Sequence, residues 1–532
     1  MTNLQRRYPV GIQTFSEIIK RGYVYVDKTD LVWNLTQQSK YVFLSRPRRF
    51  GKSLLSSTLV SYFEGRKELF EGLKIMQLEQ EWEKYPVLHL DMSRAKSQES
   101  AQELSKTLMW ILRPYADVYG RGADEDSPGK LLTGIVQRAF EQTGKQVAVI
   151  IDEYDAPLLE VLHEEENLKD FRRVMQEFYV PLKALDPYVK FCFITGITKF
   201  SQLSIFSSLN NMLNVSLAPA FSAICGITES ELTTAFAKDI DLMAEEYGCS
   251  PKEMHALLKR QYDGYHFSEK SEDIYNPYSL LTAFKMQKLG NYWFDTGTPT
   301  YLIRQMQHFR TDITAVDSLE APASAFDRST EAMSNALPLL YQSGYLTIRD
   351  YDREGFVYTL SIPNQEVRVG YSEGLLPVYV GLDSENVQAG FALKFWRALK
   401  KHDLDLALQE MQAYLAGIPY IEGFKKKLEE AATKEGFYEY TLYLIFSMLN
   451  VYVRTQVKVA GGRTDLVVYM PDTTYILELK VNGTAQEALE QIKQKNYALP
   501  YHTEGNKIVM AGIHFNADTR TVDDWTIEQQ TT

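Results

Sequence analysis

Apolar residues in the first part of the chain follow two patterns. Short apolar-rich runs, which are typical of buried strands, occur at 41–44, 86–91, 147–151 and 188–194. Between these runs, residues 98–118 place Leu104, Leu108 and Leu112 at helical spacing, which predicts an amphipathic helix. Alternation at 23–28 predicts one more short strand. Strands that alternate with helices predict an α/β fold with a parallel sheet and covering helices.

The first of these runs leads into a basic loop and then into a helical segment that begins near Lys52. A strand that passes through a loop into a helix N-terminus places backbone N–H groups and the positive end of the helix dipole around an anion. A lysine and a hydroxyl at that point form the nucleoside-triphosphate P-loop. In that motif Lys52 contacts the β- and γ-phosphates and Ser53 contacts Mg²⁺.

One position departs from the P-loop consensus, because Arg46 stands where the first glycine is expected. The alternative is a basic loop before an ordinary helix, and the loop arginines favour anions under either interpretation. We predict that the end of the loop binds the nucleotide through a set of consecutive residues. This set is Arg48, Arg49, Phe50, Gly51, Lys52, Ser53 and Leu54.

Two carboxylates, Asp152 and Glu153, end the apolar run at 147–151. In an open α/β sheet, ligands bind at the carboxyl edge of the strands. Phosphoryl transfer needs one carboxylate to hold Mg²⁺ and often a second group to orient the attacking water. We assign the first task to Asp152, together with Ser53, and the second to Glu153. The alternative is an acidic pair that only ends a strand and starts a turn.

Polar residues also end the run at 188–194, among them Thr195, Thr198 and Lys199. In P-loop ATPases of the AAA type, a polar residue at this strand end senses the γ-phosphate. We include Thr195 among the predicted nucleotide-binding residues. Turn hydroxyls that only satisfy the backbone are the competing interpretation.

Four segments together resemble the AAA-ATPase-like family of bacteria and archaea, whose members carry a nuclease-like C-terminal domain. These segments are 26–28, 46–53, 151–157 and 195–201. The loop at 46–53 is similar to the family's own P-loop, which accounts for Arg46. The resemblance extends over residues 1–225 and implies an ATPase domain that uses ATP and Mg²⁺.

Composition narrows the class of protein. The net charge of −12 argues against a generally basic nucleic-acid coat protein, although a locally basic groove is compatible with it. The 3 cysteines suit a reducing cytoplasm and offer no metal framework. The N-terminus lacks an apolar signal core, and no apolar run approaches the length of a membrane span. We therefore expect a cytoplasmic protein.

The middle of the chain, 226–380, is more helical and more polar. Thr228 and Glu231 are spaced as a capping box. A predicted helix at 334–343 is followed by a predicted hairpin over 345–362. A helix with a two-stranded wing suggests winged-helix DNA binding, and such a module serves equally as a lid or a partner surface in ATPases.

The last part of the chain, 381–532, contains a second set of polar residues within apolar strands. Glu478 and Lys480 share one face of the strand predicted at 474–480, because side chains alternate with a period of two. Burying both is costly unless they pair or bind a metal. Asp465, near the start of the preceding strand, can complete the cluster.

This order of residues resembles the PD-(D/E)xK nuclease superfamily and implies a restriction-endonuclease-like α/β domain. In that superfamily two acids hold Mg²⁺, here Asp465 and Glu478, and a lysine, here Lys480, positions or activates water. Glu439 matches an acid that the first helix of the superfamily often contributes to the metal. Gln491 lies on the helix that resembles the final motif.

The predicted architecture is therefore a P-loop ATPase domain at 1–225, a helical lid and winged-helix-like region at 226–380, and a nuclease-like domain at 381–532. We predict an ATPase coupled to a Mg²⁺-dependent nuclease that acts on nucleic acid, with DNA as the expected substrate. We expect no membrane partner, and a homo-oligomer or protein partner stays open. The alternatives are a nucleotide-gated switch that binds nucleic acid or protein without cleavage, and a P-loop kept for structure alone.

Overall fold

The computed structural model describes most of the chain. The described residues are 6–162, 164–198, 211–294, 300–309, 311, 316, 318–327, 333–380, 385–417, 441–447, 452–459, 462–470, 472–502, 506–516, 518–519 and 521–530. Two compact units are present, one made of Met1–Thr311 and Ser318–Glu366 and the other chiefly of Val367–Thr532. The predicted boundaries at residues 225 and 380 divide the chain more finely and stay a prediction.

The first unit is organised around a five-stranded sheet with the spatial order β2-β3-β4-β1-β5. Its strands are β1 Tyr41–Ser45, β2 Val87–Asp91, β3 Val147–Asp152, β4 Val189–Gly196 and β5 Leu213–Asn214. All neighbouring pairs are parallel, which confirms the predicted sheet. Because β4 separates β1 from β3, the strand that ends in Thr195 and Gly196 lies between the P-loop strand and the acidic strand.

Helices precede the first strand and connect the later ones, as the alternating pattern predicts. They are α1 Phe15–Lys20, α2 Thr29–Gln38, α3 Lys52–Phe63, α4 Ala101–Tyr119, α5 Pro128–Thr143, α6 Ala156–Glu160, α7 Glu165–Tyr179 and α8 Pro181–Ala184. The strand predicted at 23–28 is wrong, since this segment is irregular. Its alternation has another cause: Val24 and Val26 pack against one apolar cluster, and Tyr25 packs against a different one.

The remainder of the first unit is mainly helical. Its helices are α9 Glu229–Ala235, α10 Ala237–Tyr247, α11 Pro251–Tyr262, α12 Pro277–Met286, α13 Thr300–His308, α14 Ala323–Phe326 and α15 Leu337–Gln342. The predicted capping box of Thr228 and Glu231 is present at the start of α9. The strands are β6 Ile227–Thr228, β7 Ile274–Tyr275, β8 Leu319–Ala321, β9 Thr347–Asp352 and β10 Val357–Ser361. The predicted hairpin corresponds to β9 and β10, which pair antiparallel.

The C-terminal part contains a mixed five-stranded sheet in sequential order. Its strands are β11 Tyr452–Val459, β12 Gly462–Tyr469, β13 Thr473–Lys480, β14 Lys507–Asn516 and β15 Thr521–Gln530. Only β13 and β14 pair in parallel. The helices are α16 Gln365–Val380, α17 Glu385–Lys400, α18 Leu404–Ala416, α19 441–447 and α20 Ala485–Gln494.

Helix α20 packs tightly on this sheet. A Cβ atom at Gly512 of β14 would overlap the carbonyl oxygen of Ala485 and the backbone nitrogen of Leu489. Glycine at this position therefore allows the helix backbone to approach the strand closely. Across the described ranges, no helix has both the length and the apolar character that a membrane crossing requires.

Candidate functional site

The P-loop connects β1 to α3 through two residues with left-handed backbone, Arg49 at φ 62° and Gly51 at φ 92°. Lys52, the first residue of α3, is buried, and its Nζ donates to the carbonyl oxygens of Arg46 and Pro47, each at 2.9 Å. Burial lowers the pKa of Lys52, and nearby carboxylates, Glu153 foremost, oppose the shift. Backbone carbonyls thus hold the ammonium group inside the loop.

The contacts of Arg46 explain why an arginine stands where the P-loop consensus has a glycine. Its guanidinium donates to the carbonyl oxygens of Ser216, at 2.8 Å, and Phe221, at 3.1 Å, and lies 4.2 Å from the ring centre of Phe267. Burial lowers the pKa of Arg46 to about 10. A glycine could make none of these contacts, so the arginine ties the start of the loop to later segments of the same unit.

The other loop side chains are also engaged with later segments of this unit. Arg49 donates to the carbonyl oxygen of Tyr292 at 2.8 Å and lies 4.0 Å from the ring centre of Tyr278. Phe50 is fully buried and packs edge-on against Tyr265, 4.6 Å between ring centres. The Arg48 carbonyl accepts from the indole of Trp293, and Leu54 lines a cavity described below. The side chains of Arg49 and Phe50 therefore support the shape of the loop.

Asp152 meets Ser53 at the carboxyl edge of the sheet. The Asp152 carboxyl is 3% exposed, and burial raises its pKa to about 6, although a hydrogen bond with the Ser53 side chain and the charge of Lys52 oppose the shift. Asp91, which ends β2, is the register partner of Asp152 and raises that pKa further. A hydroxyl and carboxylates are the hard oxygen donors that Mg²⁺ takes, so this donor set fits the ion.

Glu153 follows directly and adopts a positive φ of 48°. Its Oε2 lies 2.8 Å from the Nζ of Lys96, and the two side chains are 31% and 40% exposed. A lysine therefore positions the glutamate beside the sheet edge that carries Asp152. The sequence did not mark Lys96 or Asp91 as site residues. For Asp91 a signal existed, because it ends a strand as Asp152 does.

The end of β4 is held by internal hydrogen bonds. The Thr195 hydroxyl donates to the carbonyl oxygen of Leu44 at 2.7 Å, and both residues are buried. The Thr198 hydroxyl and backbone N–H donate to Asp155 Oδ2, each at 2.6 Å. Asp155 is a further residue that the sequence did not mark; burial raises its pKa against the effect of these bonds. Lys199, the third polar residue considered at this strand end, lies outside the described residues.

An apolar cavity of about 90 Å³ opens beside the P-loop. Its lining includes Tyr25, Val26, Phe50, Leu54, Cys225 and Ile227. Lys28 also borders it and is paired with Glu231 of the α9 capping box, 2.6 Å from Nζ to Oε2. This cavity could receive a flat apolar group that is attached to a phosphate bound at the P-loop.

The second set of site residues comes together on the C-terminal sheet. Leu466 and Leu477 are register partners in the antiparallel pair β12 and β13, so Asp465 and Glu478, the next residue on each side, stand opposite each other. Asp465 Oδ2 accepts from the Leu479 N–H at 2.9 Å, and Glu478 Oε2 accepts from the Asp465 N–H at 3.4 Å. The two carboxylates therefore share one small region of the sheet.

Glu478 is 2% exposed and is surrounded by the other predicted residues. Its Oε1 accepts a hydrogen bond from the Gln491 amide of α20 and lies 4.0 Å from the Lys480 Nζ. Glu439, the remaining predicted ligand, lies outside the described residues. Within the described ranges no group of three or more His, Cys, Asp or Glu side chains is arranged to hold a metal. The oxygen donors of Asp465 and Glu478 are nonetheless of the kind that Mg²⁺ prefers.

Two family models match the chain. A model described as a predicted AAA-ATPase matches residues 9–206, and one described as the PD-(D/E)XK nuclease superfamily matches residues 433–525. The chain is also 32% identical over 539 residues to an uncharacterized protein in the vnfD 5′ region of Azotobacter chroococcum mcd 1, with 98% of this chain and 99% of that protein covered.

Among solved structures, the Walker-type ATPase of Pyrococcus abyssi is similar at 12% identity, with a TM-score of 0.35, over 69% of this chain and 97% of that one. A TM-score of this size supports no conclusion about function. The two family matches and the similarity to the Azotobacter protein, which extends over 98% of this chain, together assign the family. The chain belongs to the AAA-ATPase-like family and carries a C-terminal domain of the PD-(D/E)XK nuclease superfamily.

Proposed function

We propose that the first unit binds and hydrolyses ATP with Mg²⁺. The observation that carries this proposal is the meeting of Ser53, from the P-loop helix, with Asp152, from the end of a strand two positions away in the sheet. A hydroxyl and a carboxylate at this place would supply two of the oxygen ligands of an octahedral Mg²⁺ ion, and a bound nucleotide would supply further ones.

Each remaining residue then has a task in this proposal. Lys52 leaves the loop carbonyls to contact the β- and γ-phosphates, and the backbone N–H groups that end at Gly51 surround them. Ser53 and Asp152 would hold the Mg²⁺ ion, which would supply positive charge to the phosphates. Glu153 orients the attacking water, and the apolar cavity beside Gly51 receives the base.

An ATPase assay on the full chain tests this assignment. We expect Lys52→Ala to reduce hydrolysis by at least about 100-fold, because positioned charge supplies most of the catalysis of phosphoryl transfer. Glu153→Gln should retain ATP with little turnover. Lys106, an exposed lysine of α4, provides the control variant Lys106→Ala. Hydrolysis at the wild-type rate in Lys52→Ala would show that the P-loop assignment is wrong.

For the C-terminal domain we propose Mg²⁺-dependent cleavage of nucleic acid, with DNA as the expected substrate. The opposition of Asp465 and Glu478, with Lys480 4.0 Å from the glutamate, supports this proposal. The two acids would hold the ion, which stabilises the charge of the phosphodiester transition state. Lys480 would order the attacking water. Coupling of this reaction to ATP completes the proposed function.

A cleavage assay separates this proposal from its alternative, a nucleotide-gated switch that binds without cutting. Single-stranded and double-stranded DNA and RNA are incubated with the full chain and Mg²⁺ or Mn²⁺. Cleavage should be lost in Glu478→Ala and Lys480→Ala and kept in Lys495→Ala, which changes an exposed lysine after α20. Equal background products from all proteins would favour the switch. That alternative has one supporting observation, because both oxygens of Glu478 already accept hydrogen bonds from the protein.

A further inference from the structure

A histidine of the C-terminal sheet shares a face with the proposed nuclease residues. Strands β13 and β14 are parallel, with Glu478 in register with Gly512 and Lys480 in register with His514. Register partners on neighbouring strands point to the same side of a sheet, and such strands lie about 4.8 Å apart. His514 therefore stands beside Lys480, one strand further from Asp465.

An irregularity in the pairing of β14 with β15 places a carboxylate next to this histidine. His514 pairs with Asp524 and Phe515 pairs with Val522, so Asp523 is the extra residue of a bulge in β15. A bulge redirects a side chain relative to a regular strand. Asp523 Oδ1 lies 2.6 Å from His514 Nδ1, and Oδ2 accepts from Asn516 at 2.8 Å.

This contact orients the imidazole ring. Burial acts to raise the pKa of Asp523, but hydrogen bonds from Asn516 and His514 outweigh it, so the pKa is lowered and the group is a carboxylate. A carboxylate accepts from Nδ1–H, which makes Nε2 the nitrogen that exchanges protons with a ligand. The side chains of His514 and Asp523 are 20% and 34% exposed, so a ligand can reach the ring.

Other charged groups on the neighbouring elements have partners of their own. Glu487 of α20 accepts from the N–H of Thr484 at 2.8 Å, and Lys493 lies 2.7 Å from Glu528 of β15. Asp524, the register partner of His514, is exposed. Lys480 and Asp523 are thus the charges that most directly accompany the imidazole.

We propose that His514, oriented by Asp523, is a further catalytic residue of the nuclease site and acts as the general acid for the leaving group. This inference rests on the proposed nuclease function. In an in-line displacement the entering and leaving oxygens lie on opposite sides of phosphorus. Asp465, Glu478 and Lys480 would serve the entering water. His514 lies on the strand next to that of Lys480 and would serve the leaving oxygen on the opposite side of phosphorus.

The displacement exchanges one bond at phosphorus for another. The water oxygen forms a bond to phosphorus and releases its proton to solvent. The bond from phosphorus to the leaving oxygen breaks, and its electron pair stays on that oxygen. The leaving oxygen takes the Nε2 proton from the imidazolium form of His514, which becomes the neutral ring with Nδ1–H toward Asp523, and the ring then regains a proton from solvent. The products are a phosphate monoester end and a free hydroxyl end.

Two substrates test this step in the full chain. We expect His514→Gln and His514→Ala to slow DNA cleavage by about 10²- to 10⁴-fold, the usual contribution of a general acid. With bis(p-nitrophenyl) phosphate the loss should be far smaller, because p-nitrophenolate leaves without protonation. The control is His502→Ala, at an exposed histidine of the same domain. Equal losses on both substrates, or wild-type cleavage of DNA, would overturn the inference.

A second measurement does not depend on activity. In the chain labelled with ¹⁵N-histidine, the signals lost in His514→Gln identify this ring among the 8 histidines. We expect those signals to report Nδ1–H in the wild type and to change in Asp523→Asn, while Asp524→Asn leaves them unaltered. Unchanged signals in Asp523→Asn would disprove the orienting contact.

The outcome also separates this inference from the function on which it rests. If the wild type shows no cleavage that depends on Glu478, the proposed nuclease function fails and the general acid fails with it. If cleavage depends on Glu478 but His514→Gln retains it on DNA, only the assignment of His514 is wrong. Urea unfolding of each variant confirms that a loss of activity is not a loss of fold.

Discussion

The acids of the first unit stand at the ends of strands, whereas those of the C-terminal domain stand inside strands. Asp91 and Asp152 are brought together because β2 and β3 are parallel and end at the same edge. Asp465 and Glu478 meet because β12 and β13 are antiparallel and register places them opposite each other. The first arrangement depends on topology, which loops and helices can support with some freedom. The second depends on register, so a displacement by one residue would separate the acids.

The largest effect that we expect concerns the packing of α20 on the sheet that carries Asp465 and Glu478. Gly512→Ala forces a Cβ atom into the backbone of α20, and neither backbone can yield easily. We expect a loss of about 4 kcal/mol in the free energy of unfolding, at the upper end of single substitutions. Urea unfolding followed by circular dichroism measures it. Gly417→Ala, where the added atom makes only ordinary contacts, is the matched control.

A pH titration addresses the strand-end site. Burial raises the pKa of Asp152 from 3.8 to about 6, so the folded state holds this proton more tightly than the unfolded state. The contribution of Asp152 to the free energy of unfolding is therefore fully present below pH 4. It falls by about 3 kcal/mol as the pH rises from 4 to 6. We expect Asp152→Asn to gain stability relative to the wild type across this interval and to keep a constant difference above it.

That titration has an equally clear negative outcome. If the difference between Asp152→Asn and the wild type were independent of pH between 4 and 7, the carboxyl would have an ordinary pKa. The strand-end site would then be more open to water than its burial indicates. Asp126→Asn, at an exposed aspartate of the same unit, controls for general effects of removing a charge.

The hydrogen bond that reaches Glu478 from α20 is expected to matter less. Gln491→Leu removes the amide donor and leaves a buried carboxylate oxygen without that bond. The cost should be about 2 kcal/mol, which unfolding in urea will measure. Gln486→Leu, on the same helix, breaks an exposed bond to Glu490 and should change stability by less than about 0.5 kcal/mol. Similar costs for both variants would mean that the hydrogen bond from Gln491 to Glu478 adds no more stability than an exposed one.

The smallest effect is expected for the ion pair of the first unit. Lys96 and Glu153 are both partly exposed, so solvent screens their attraction. Lys96→Ala should lower the free energy of unfolding by less than about 1 kcal/mol. A larger loss would mean that this ion pair stabilises the fold in addition to positioning Glu153. Lys130→Ala, which breaks an exposed pair with Asp126, is the comparison.

Periodicity was sufficient for the elements that have a strong pattern. The run at 147–151 predicted β3 and its acidic end, and the period of two predicted that Glu478 and Lys480 share a face. Strands β14 and β15 were not predicted, and charged residues such as Asp523 and Glu528 interrupt the apolar pattern of β15. His514 was missed because it lies on β14, which was not predicted although residues 508–513 form an apolar run. Lys96 was missed because it belongs to neither a motif nor a regular element.

Other features could not be predicted because their partners are distant in sequence. Arg46 was recognised only as an exception to the P-loop consensus, and its acceptors, Ser216 and Phe221, lie 170 and 175 positions later. No local pattern encodes such a contact. The same holds for Arg49 and Tyr292, 243 positions apart. Contacts of this kind arise from the fold, and a single sequence does not reveal them.

The anchoring of Arg46 also has a consequence for the order in which the protein is completed. The acceptors of the guanidinium, Ser216 and Phe221, lie beyond the segment 9–206 that matches the ATPase family. During synthesis, the P-loop acquires its final support only after the chain has been extended past Phe221. In a fragment limited to residues 9–206, the guanidinium of Arg46 would lack these two carbonyl acceptors. The smallest fragment that keeps the P-loop supported must therefore be longer than the segment that matches the family model.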